Sequence, residues 1–225
     1  MQSQITPEAH DSPPTGNDLR VARTKARIIT AVIACLDEVG YSETSINRVQ
    51  TTAGVSRGAL THHFPSKEAM MVETLERLLD PVRGGTHAPD AIGQATGRGD
   101  GIAADMARLW SKVLNTGPGR ALVEILVAAR TDAALSARIQ PSLTAYNDQI
   151  NVNIHSLYQS PTGDADDIKV LWTICRTFLR GLHLQARFED NPRQIQRLLE
   201  RFARIMEPHM TARSQTKAER HEKPV

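Results

Sequence analysis

Residues 45–67 read SINRVQTTAGVSRGALTHHFPSK, and this stretch decides the fold of the N-terminal part of the chain. Apolar residues such as Val49 and Leu60 recur at the spacing of two short helices that share a buried face. Gly54 lies between them and can adopt the left-handed backbone of a tight turn without steric cost. Ser56 is suited to cap the second helix, because its hydroxyl can accept a hydrogen bond from the first helical turn.

The ends of these two helices follow from local chemistry. Thr44 or Ser45 is expected to cap the first helix, over about 45–52, and the second helix is expected over about 57–63. The second helix stops before Pro65, because the residue that precedes a proline avoids the α region. Two short helices joined by a glycine turn form a helix-turn-helix, whose second helix enters the major groove of DNA. The sequence therefore predicts DNA binding.

The charge of the chain is modest overall and locally positive. Its 225 residues carry a formal net charge of +2 and are 40% hydrophobic, which is enough for ordinary globular cores. A charge of +2 does not by itself indicate a nucleic-acid binder. Between residues 20 and 67, however, seven basic residues exceed three acidic residues by four. This local excess has the sign that phosphate contact requires.

Cysteine usage and hydropathy indicate a cytoplasmic protein. Cys35 and Cys175 lie on predicted apolar helix faces far apart in sequence, so we expect two buried, reduced thiols. No apolar run reaches about 18 residues, so the sequence predicts no transmembrane helix and no membrane partner. The first residues also lack the cationic start and apolar middle of a signal peptide.

Apolar periodicity predicts an all-α fold. An amphipathic helix is expected over 21–39, ended by Gly40, and two later helices are expected over 132–139 and from Pro141 onward. No convincing strand is found. The expected organisation is a disordered tail (1–19), a helix-turn-helix domain with a connecting helix (20–80), a flexible loop (81–101), a second helical domain (102–208) and a disordered tail (209–225).

In this arrangement the chain resembles the TetR family of transcriptional regulators. The resemblance is carried by Thr44-Ser45-Ile46, Val49, Ala53-Gly54-Val55-Ser56, Gly58, Leu60, His63-Phe64 and Lys67-Glu68. It implies about nine helices, divided between an N-terminal three-helix DNA-binding domain and a C-terminal helical effector-binding and dimerisation domain. The chain departs from the family at Gln50, where alanine is usual, and at Thr61, where a phosphate-contacting tyrosine is usual.

The DNA contacts are expected from short or forked polar side chains near the start of the inserted helix. Arg57 offers a guanidinium that can bind guanine O6 and N7 together. Gly58 is expected to allow close approach to DNA or to the neighbouring helix, and Arg48 and Lys67 are expected to clamp phosphates. The alternative for each charged residue is a solvated surface position. The predicted DNA-binding residues are Thr44, Ser45, Arg48, Ser56, Arg57, Gly58, Thr61, His62 and Lys67.

The pair His62-His63 raises the question of a metal site. Adjacent helical residues point about 100° apart, so the two imidazoles cannot readily bind one ion. We therefore predict no metal and no cofactor, with His63 packed inward and His62 facing DNA.

An effector pocket requires a cavity lined by several helices and a few convergent polar groups. The predicted effector is a small, largely hydrophobic molecule. The alternative is that these side chains are plain core. The candidates are Trp110, Leu114, Ile125, Arg130, Tyr146, Asn147, Ile150, Trp172, Cys175 and His183.

The last two predicted helices, 164–188 and 192–207, carry more apolar surface than one neighbour can cover. Two copies would form a four-helix interface with two-fold symmetry. That symmetry would present two reading helices to successive major grooves about 34–36 Å apart. The predicted interface residues are Leu171, Phe178, Gly181, Leu182, Leu198, Phe202 and Ile205.

The sequence thus predicts a homodimeric, ligand-responsive regulator, a repressor that binds a palindromic double-stranded DNA operator and is released by a small-molecule effector. A constitutive DNA-binding or architectural protein without an effector is the first alternative. A helical enzyme is the second, and it is disfavoured because the sequence shows no nucleophile elbow, no paired-carboxylate constellation and no HExxH motif.

Overall fold

A computed structural model describes residues 15–80 and 100–213 of the protein. Within these ranges the chain is all-α, as predicted, apart from one two-residue strand pair. A π-helix, Trp110–Leu114, follows the fifth helix, and a short 3₁₀ helix, Glu207–His209, follows the last one. The nine α-helices of the described residues are α1 (Gly16–Glu43), α2 (Ile46–Ala53), α3 (Arg57–His63), α4 (Lys67–Leu79), α5 (Ile102–Leu109), α6 (Gly117–Ala129), α7 (Ala133–Leu157), α8 (Ala165–Ala186) and α9 (Pro192–Met206).

Helix α1 begins earlier than its apolar pattern predicts. Thr15 caps it, and Thr15 and Asp18 form a reciprocal capping box in which each side chain accepts from the backbone of the other. Residues 15–19, which the sequence analysis assigned to a disordered tail, therefore begin a helix, and that prediction was wrong for them. Gly40 has φ 73°, so it interrupts the helical backbone where the end of the helix was predicted.

Helices α1–α4 form the N-terminal head around a compact apolar seam. Val49 of α2 and Leu60 of α3 are fully buried against α1, which contributes Ile28 and Val32. Burial of a side chain of this size contributes about 1.5–3 kcal/mol. The two short helices are thus held by shared packing, since helices of their length are marginal in isolation.

Helix α7 is a single helix, and the prediction of two helices divided near Pro141 was wrong. Asp132 caps it, and Pro141 lies inside it. A proline in a helix interior removes one backbone hydrogen bond. The helix continues because buried residues line one side of it both before and after the proline, from Leu135 and Ile139 to Ile150 and Ile154.

The one strand pair joins Tyr158–Gln159 to Thr211–Ala212 in antiparallel register. The backbone N–H of Arg213 donates to the carbonyl of Leu157 (2.8 Å), which extends this pairing. Residues 209–213, predicted to belong to a disordered tail, are therefore ordered. Two-residue strands carry no alternating pattern, so the sequence gives no signal for them.

The C-terminal body is built from α5–α9 around Trp172, Ile125 and Leu135, which are all buried. A polar pair lies inside this core: the hydroxyl of Tyr158 donates to the carboxylate of the fully buried Asp105 (2.6 Å). Burial and this hydrogen bond raise the pKa of Tyr158, so the phenol stays protonated.

Both cysteines are buried and unpaired, as predicted. Burial raises the pKa of the Cys175 thiol to about 12, which makes it unreactive. The predicted loop 81–101 lies outside the described residues except for Asp100 and Gly101, and Gly101 precedes α5. Among the helices of residues 15–80 and 100–213, none is long and apolar enough to cross a membrane.

Candidate nucleic-acid interface

The turn between α2 and α3 has the geometry that its glycine predicts. Gly54 is left-handed, with φ 60° and ψ 39°, and it ends α2. The N–H of Val55 donates to the carbonyl of Gln50 (3.3 Å), so this departure from the family pattern contributes its backbone to the turn. Ser45 and Ser56 cap the two helices by accepting from backbone N–H groups.

The side chain of Arg27 on α1 stabilises the turn between α2 and α3 by hydrogen bonds. Its Nη2 donates to the carbonyl oxygens of Ala53 (2.8 Å) and Gly54 (3.3 Å). These carbonyls follow the last turn of α2 and have no partner in that helix. Arg27 was not predicted as a functional residue, because nothing local in the sequence indicates a contact across 26 positions.

Helix α3 is anchored on one side and exposed on the other. Leu60 and Phe64 are buried, and Val55 packs against the same core. The opposite side, which we call the reading face, consists of Arg57, Gly58, Thr61 and His62, all exposed. Short polar and cationic side chains on the exposed side of such a helix are suited to contact base edges and phosphates.

The sequence and the fold of this chain are similar to those of known transcriptional regulators. The model of the family "Bacterial regulatory proteins, tetR family" matches residues 28–74, which span the helix-turn-helix. The transcriptional regulator CymR of Pseudomonas putida is 26% identical over 180 residues, or 80% of this chain and 87% of CymR. Residues 28–74 form a TetR-family DNA-binding domain. The relatives found by these comparisons are transcriptional regulators.

Four other curated regulators, among them RutR of Escherichia coli, match over 55 to 60 residues, which is 27% to 32% of their own length. Similarity of the fold to solved structures covers a larger part of the chain than these sequence matches do. A transcriptional regulator of Saccharomonospora viridis in complex with choline has a TM-score of 0.61 at 15% identity, over 85% of this chain and all of that one. The multidrug binding protein EbrR in complex with ethidium has a TM-score of 0.53 at 20% identity, over 81% and 98%.

Seven of the nine predicted DNA-binding residues are exposed. Within the described part of the chain, Arg48 and Arg57 form no ion pair, so both guanidinium groups are available to DNA. Thr61 donates its hydroxyl to the carbonyls of Arg57 (3.0 Å) and Gly58 (3.3 Å). The exposed residues are Ser45, Arg48, Ser56, Arg57, Gly58, Thr61 and His62.

Thr44 was predicted to present its hydroxyl to the DNA backbone, and the structure contradicts this. Its side chain is fully buried, and its hydroxyl donates to the carbonyl of Gly40 (2.7 Å). The reason is the break in α1 at Gly40, which leaves a carbonyl that a nearby hydroxyl can satisfy. Thr44 is therefore a structural residue of the link between α1 and α2.

Lys67 also has an internal role that the sequence did not predict. Its Nζ donates to the carbonyls of Tyr41 (2.6 Å) and Ser42 (3.3 Å) and lies 4.3 Å from the centre of the Tyr41 ring. Partial burial lowers the pKa of Lys67. The ammonium group thus stabilises the end of α1, and a phosphate contact by Lys67 stays a prediction.

The two histidines differ in environment. His62 is exposed, whereas His63 is half-buried and its burial lowers the pKa of its imidazole. In residues 15–80 and 100–213, no three His, Cys, Asp or Glu side chains are grouped closely enough to hold a metal ion.

A short segment, Gly40–Thr44, leads from α1 to α2 where the head contacts the body, and we call it the link. The N–H of Tyr41 in the link donates to Oε2 of Glu124 on α6 (3.0 Å). Beside it, Arg120 of α6 forms a two-pronged ion pair with Asp37 of α1, with 2.9 Å between Nη2 and Oδ2. This hydrogen-bonded pair lowers the pKa of the Asp37 carboxyl. Neither α6 residue was predicted, because each partner lies 83 positions away.

The predicted effector residues differ in their exposure to solvent. Arg130 and Asn147 are exposed, and Asn147 accepts a hydrogen bond from Arg176 (3.1 Å), whose guanidinium also lies 5.3 Å from the ring of Tyr146. The others are core or half-buried: Ile125, Tyr146, Ile150, Trp172 and Cys175 are buried, and Trp110, Leu114 and His183 are half-buried.

His183 does line a cavity. This cavity lies between α1, α6 and α8 and has a volume of about 710 Å³, and its walls include Asp37, Arg120 and Glu124. Burial lowers the pKa of His183, Arg120 lowers it further, and Asp37 and Glu124 act in the opposite direction. The imidazole also contacts the edge of Trp110, with 6.5 Å between ring centres.

Of the predicted dimer residues, Leu182 is buried within the protomer, so its prediction was wrong. It faces inward because buried Leu179 lies three positions before it on the same side of α8. Gly181 and Ile205 are exposed, and the rest are half-buried: Leu171, Phe178, Leu198 and Phe202, where Phe178 and Phe202 stack with ring centres 3.8 Å apart.

Proposed function

We propose that this TetR-family protein is a homodimeric repressor that reads a palindromic operator with α3 and is released by a small-molecule effector. The observation that carries the proposal is the reading face, where Arg57, Thr61 and His62 are exposed on a helix whose other side is fixed by Leu60 and Phe64. A rigid mounting of this kind lets side chains contact base edges at defined positions.

An exposed apolar stripe on α8 supports the dimer. Val170, Ile174 and Leu184 lie on one side of α8 with exposed fractions of 46% to 57%, and Ile205 of α9 is also exposed. Large exposed apolar side chains on one side of a helix are suited to an interaction site in a globular protein. A second copy of the chain is its natural partner, because two-fold pairing supplies the second reading helix that a palindrome requires.

Effector binding is supported by the protein class and by a cavity in the structure. Solved TetR-like folds hold choline and ethidium. In this chain a cavity of about 710 Å³ between α1, α6 and α8 is large enough for a small molecule. By linkage, an effector weakens DNA binding only as far as it prefers the conformation that does not fit the operator.

The test of the DNA-binding proposal is selection of a binding site from randomised duplex DNA, followed by anisotropy titrations. We expect a palindrome, and we expect Arg57→Ala to lose about 1–3 kcal/mol of binding free energy on it. Arg130→Ala is the matched control, since Arg130 is an exposed arginine of the body. If the two variants bind equally, or if no duplex is selected, the reading face is not a DNA interface.

The dimer is tested by sedimentation velocity on Ile174→Asp. A carboxylate in the apolar stripe should convert the dimer into a monomer, because an unpaired charge would be buried in the interface. Val152→Asp on α7 is the control, since Val152 is also an exposed apolar residue. A dimer that survives Ile174→Asp would place the interface elsewhere. A constitutive DNA-binding protein is the alternative to effector control, and a thermal-shift screen with hydrophobic metabolites that raises no melting temperature would favour it.

A further inference from the structure

The cavity between α1, α6 and α8 is lined in part by Gly40 of the link, and its wall combines apolar and charged side chains. Its volume of about 710 Å³ falls in the range of small-molecule sites. Apolar side chains such as Leu36 and Val123 form part of its wall, and the ring of Phe188, which is 80% exposed, stands at its edge. The cavity can therefore hold a molecule with an apolar body.

The charges around this cavity leave a carboxylate uncompensated. Asp37 is neutralised by the two-pronged pair with Arg120. Glu124 accepts only the neutral N–H of Tyr41, and in the described part of the chain it forms no ion pair. At the margin, the exposed Glu38 and Arg187 offset each other in formal charge. His183 adds no positive charge when neutral, so the site has an excess of one negative charge.

We propose that this cavity is a binding site for a small organic cation with an apolar body, held by the Glu124 carboxylate and the Phe188 ring. The inference rests on the proposed function, since it identifies one class of effector and the place where it acts. A carboxylate attracts a cation most strongly where water is partly excluded. The face of an aromatic ring adds a cation–π attraction of about 0.5–1 kcal/mol at an exposed position.

Occupation of this site acts on the DNA-binding head through the link. Glu124 holds the N–H of Tyr41, while Lys67 holds the carbonyls of Tyr41 and Ser42. Helix α2 begins at Ile46, only a few residues later. A cation paired with Glu124 competes with the Tyr41 N–H for that carboxylate, so the end of α1 and the start of α2 lose one of their ties to the body. DNA and cation then disfavour each other, as reciprocal linkage requires.

Two rigid ions of nearly the same shape and opposite charge, tetraphenylphosphonium and tetraphenylborate, test the site by calorimetric titration of the full chain. We expect the cation to bind and the anion to bind at least about tenfold more weakly. Glu124→Gln keeps an oxygen acceptor for the Tyr41 N–H and removes the charge, so it should weaken cation binding about tenfold. Asp148→Asn on α7 removes an exposed carboxylate outside the cavity and should change nothing.

A second variant works in the opposite direction. Arg187→Ala removes a positive charge at the margin of the cavity and should tighten cation binding. A variant that failed to fold would bind the cation less tightly, so a gain in affinity cannot be due to misfolding. The proposal is overturned if the anion binds as well as the cation, or if Glu124→Gln and Asp148→Asn bind the cation alike. Operator binding is measured on the same samples. If neither the wild type nor any variant binds DNA, the proposed function is overturned. If operator binding is normal but cation binding does not depend on Glu124, only this inference is overturned.

Discussion

Arg27 donates a hydrogen bond from its Nη2 to the carbonyl oxygen of Ala53 over 2.8 Å, and this bond joins α1 to the end of α2. The carbonyls at the end of a helix have no partner within it, and a cationic side chain is a favourable one. The contact fixes the turn that aims α3. An arginine of the first helix thereby takes part in positioning the reading face, although it lies outside the helix-turn-helix itself.

Arg27→Ala should destabilise the protein by about 1 kcal/mol, because the side chain is exposed and its bonds are partly screened. The measurement is urea unfolding monitored by circular dichroism. Arg23→Ala on the same helix is the control, since Arg23 is exposed and has no hydrogen-bond partner in residues 15–80 and 100–213. Equal losses in the two variants would mean that Arg27 does not stabilise the turn.

Gly58→Ala should raise stability and weaken DNA binding at the same time. A Cβ at this position would meet no atom within 4 Å, so the neighbouring helix does not require the glycine. Alanine in a helix is favoured over glycine by about 1 kcal/mol. Close approach to DNA is then the remaining reason for Gly58, and a methyl group there should lower operator affinity by about 1 kcal/mol or more.

For Gly58→Ala, urea unfolding measures the change in stability, and anisotropy titration measures the change in operator affinity. Gly16→Ala is the control, because it is another glycine with open space around it and lies at the start of α1. It should leave operator affinity unchanged. Unchanged affinity in Gly58→Ala would show that α3 does not approach DNA closely at this residue.

Local chemistry in the sequence predicted the head well. Periodicity, Gly54, Ser56 and Pro65 act within a few residues of one another, so their consequences can be derived from a short window. The helix over 57–63 and the glycine turn were confirmed. The prediction for Thr44 was wrong although the break at Gly40 was predicted, because the sequence does not show that the carbonyl of Gly40 lies within reach of the Thr44 hydroxyl.

Contacts between distant segments could not be predicted. Glu124 and Tyr41 are 83 positions apart, and a single glutamate on an amphipathic helix is indistinguishable from a solvated one. The cavity beside them follows from how α1, α6 and α8 meet, which sequence periodicity does not specify. His183 was the one predicted effector residue that lines it, chosen as a polar group on an apolar helix.

Gly119 makes the sharpest stability prediction. A Cβ there would overlap the carbonyl oxygens of Val113 and Leu114, and both atoms are backbone. Gly119→Ala must therefore separate α6 from the π-helix and should cost about 3 kcal/mol or more. Gly117→Ala is the graded comparison, because its Cβ would meet only the carboxylate of Asp37, at 3.0 Å. Thermal unfolding should rank the wild type, Gly117→Ala and Gly119→Ala in that order, and an unchanged melting temperature for Gly119→Ala would contradict the described packing.

The environment of His183 predicts how stability depends on pH. Its pKa in the folded protein is lowered from about 6.5, chiefly by burial and then by Arg120. Between the two pKa values the unfolded chain binds more protons at this residue than the folded protein does, so stability rises with pH. The free energy of unfolding should therefore fall as the pH is lowered from about 7.5 toward 5.

Urea unfolding of His183→Gln over the same pH range isolates this contribution. Glutamine does not titrate, so the variant should lose less stability on acidification than the wild type does. The stability of His183→Gln should still depend on pH to some extent, because burial also lowers the pKa of His63. His63→Gln should remove this second contribution. The lowered pKa of Asp37 does not interfere, since that carboxyl titrates below about 3.8. Parallel pH profiles for the wild type and His183→Gln would show that this imidazole titrates alike in both states, and the cavity wall would then be more hydrated than its packing against Trp110 indicates.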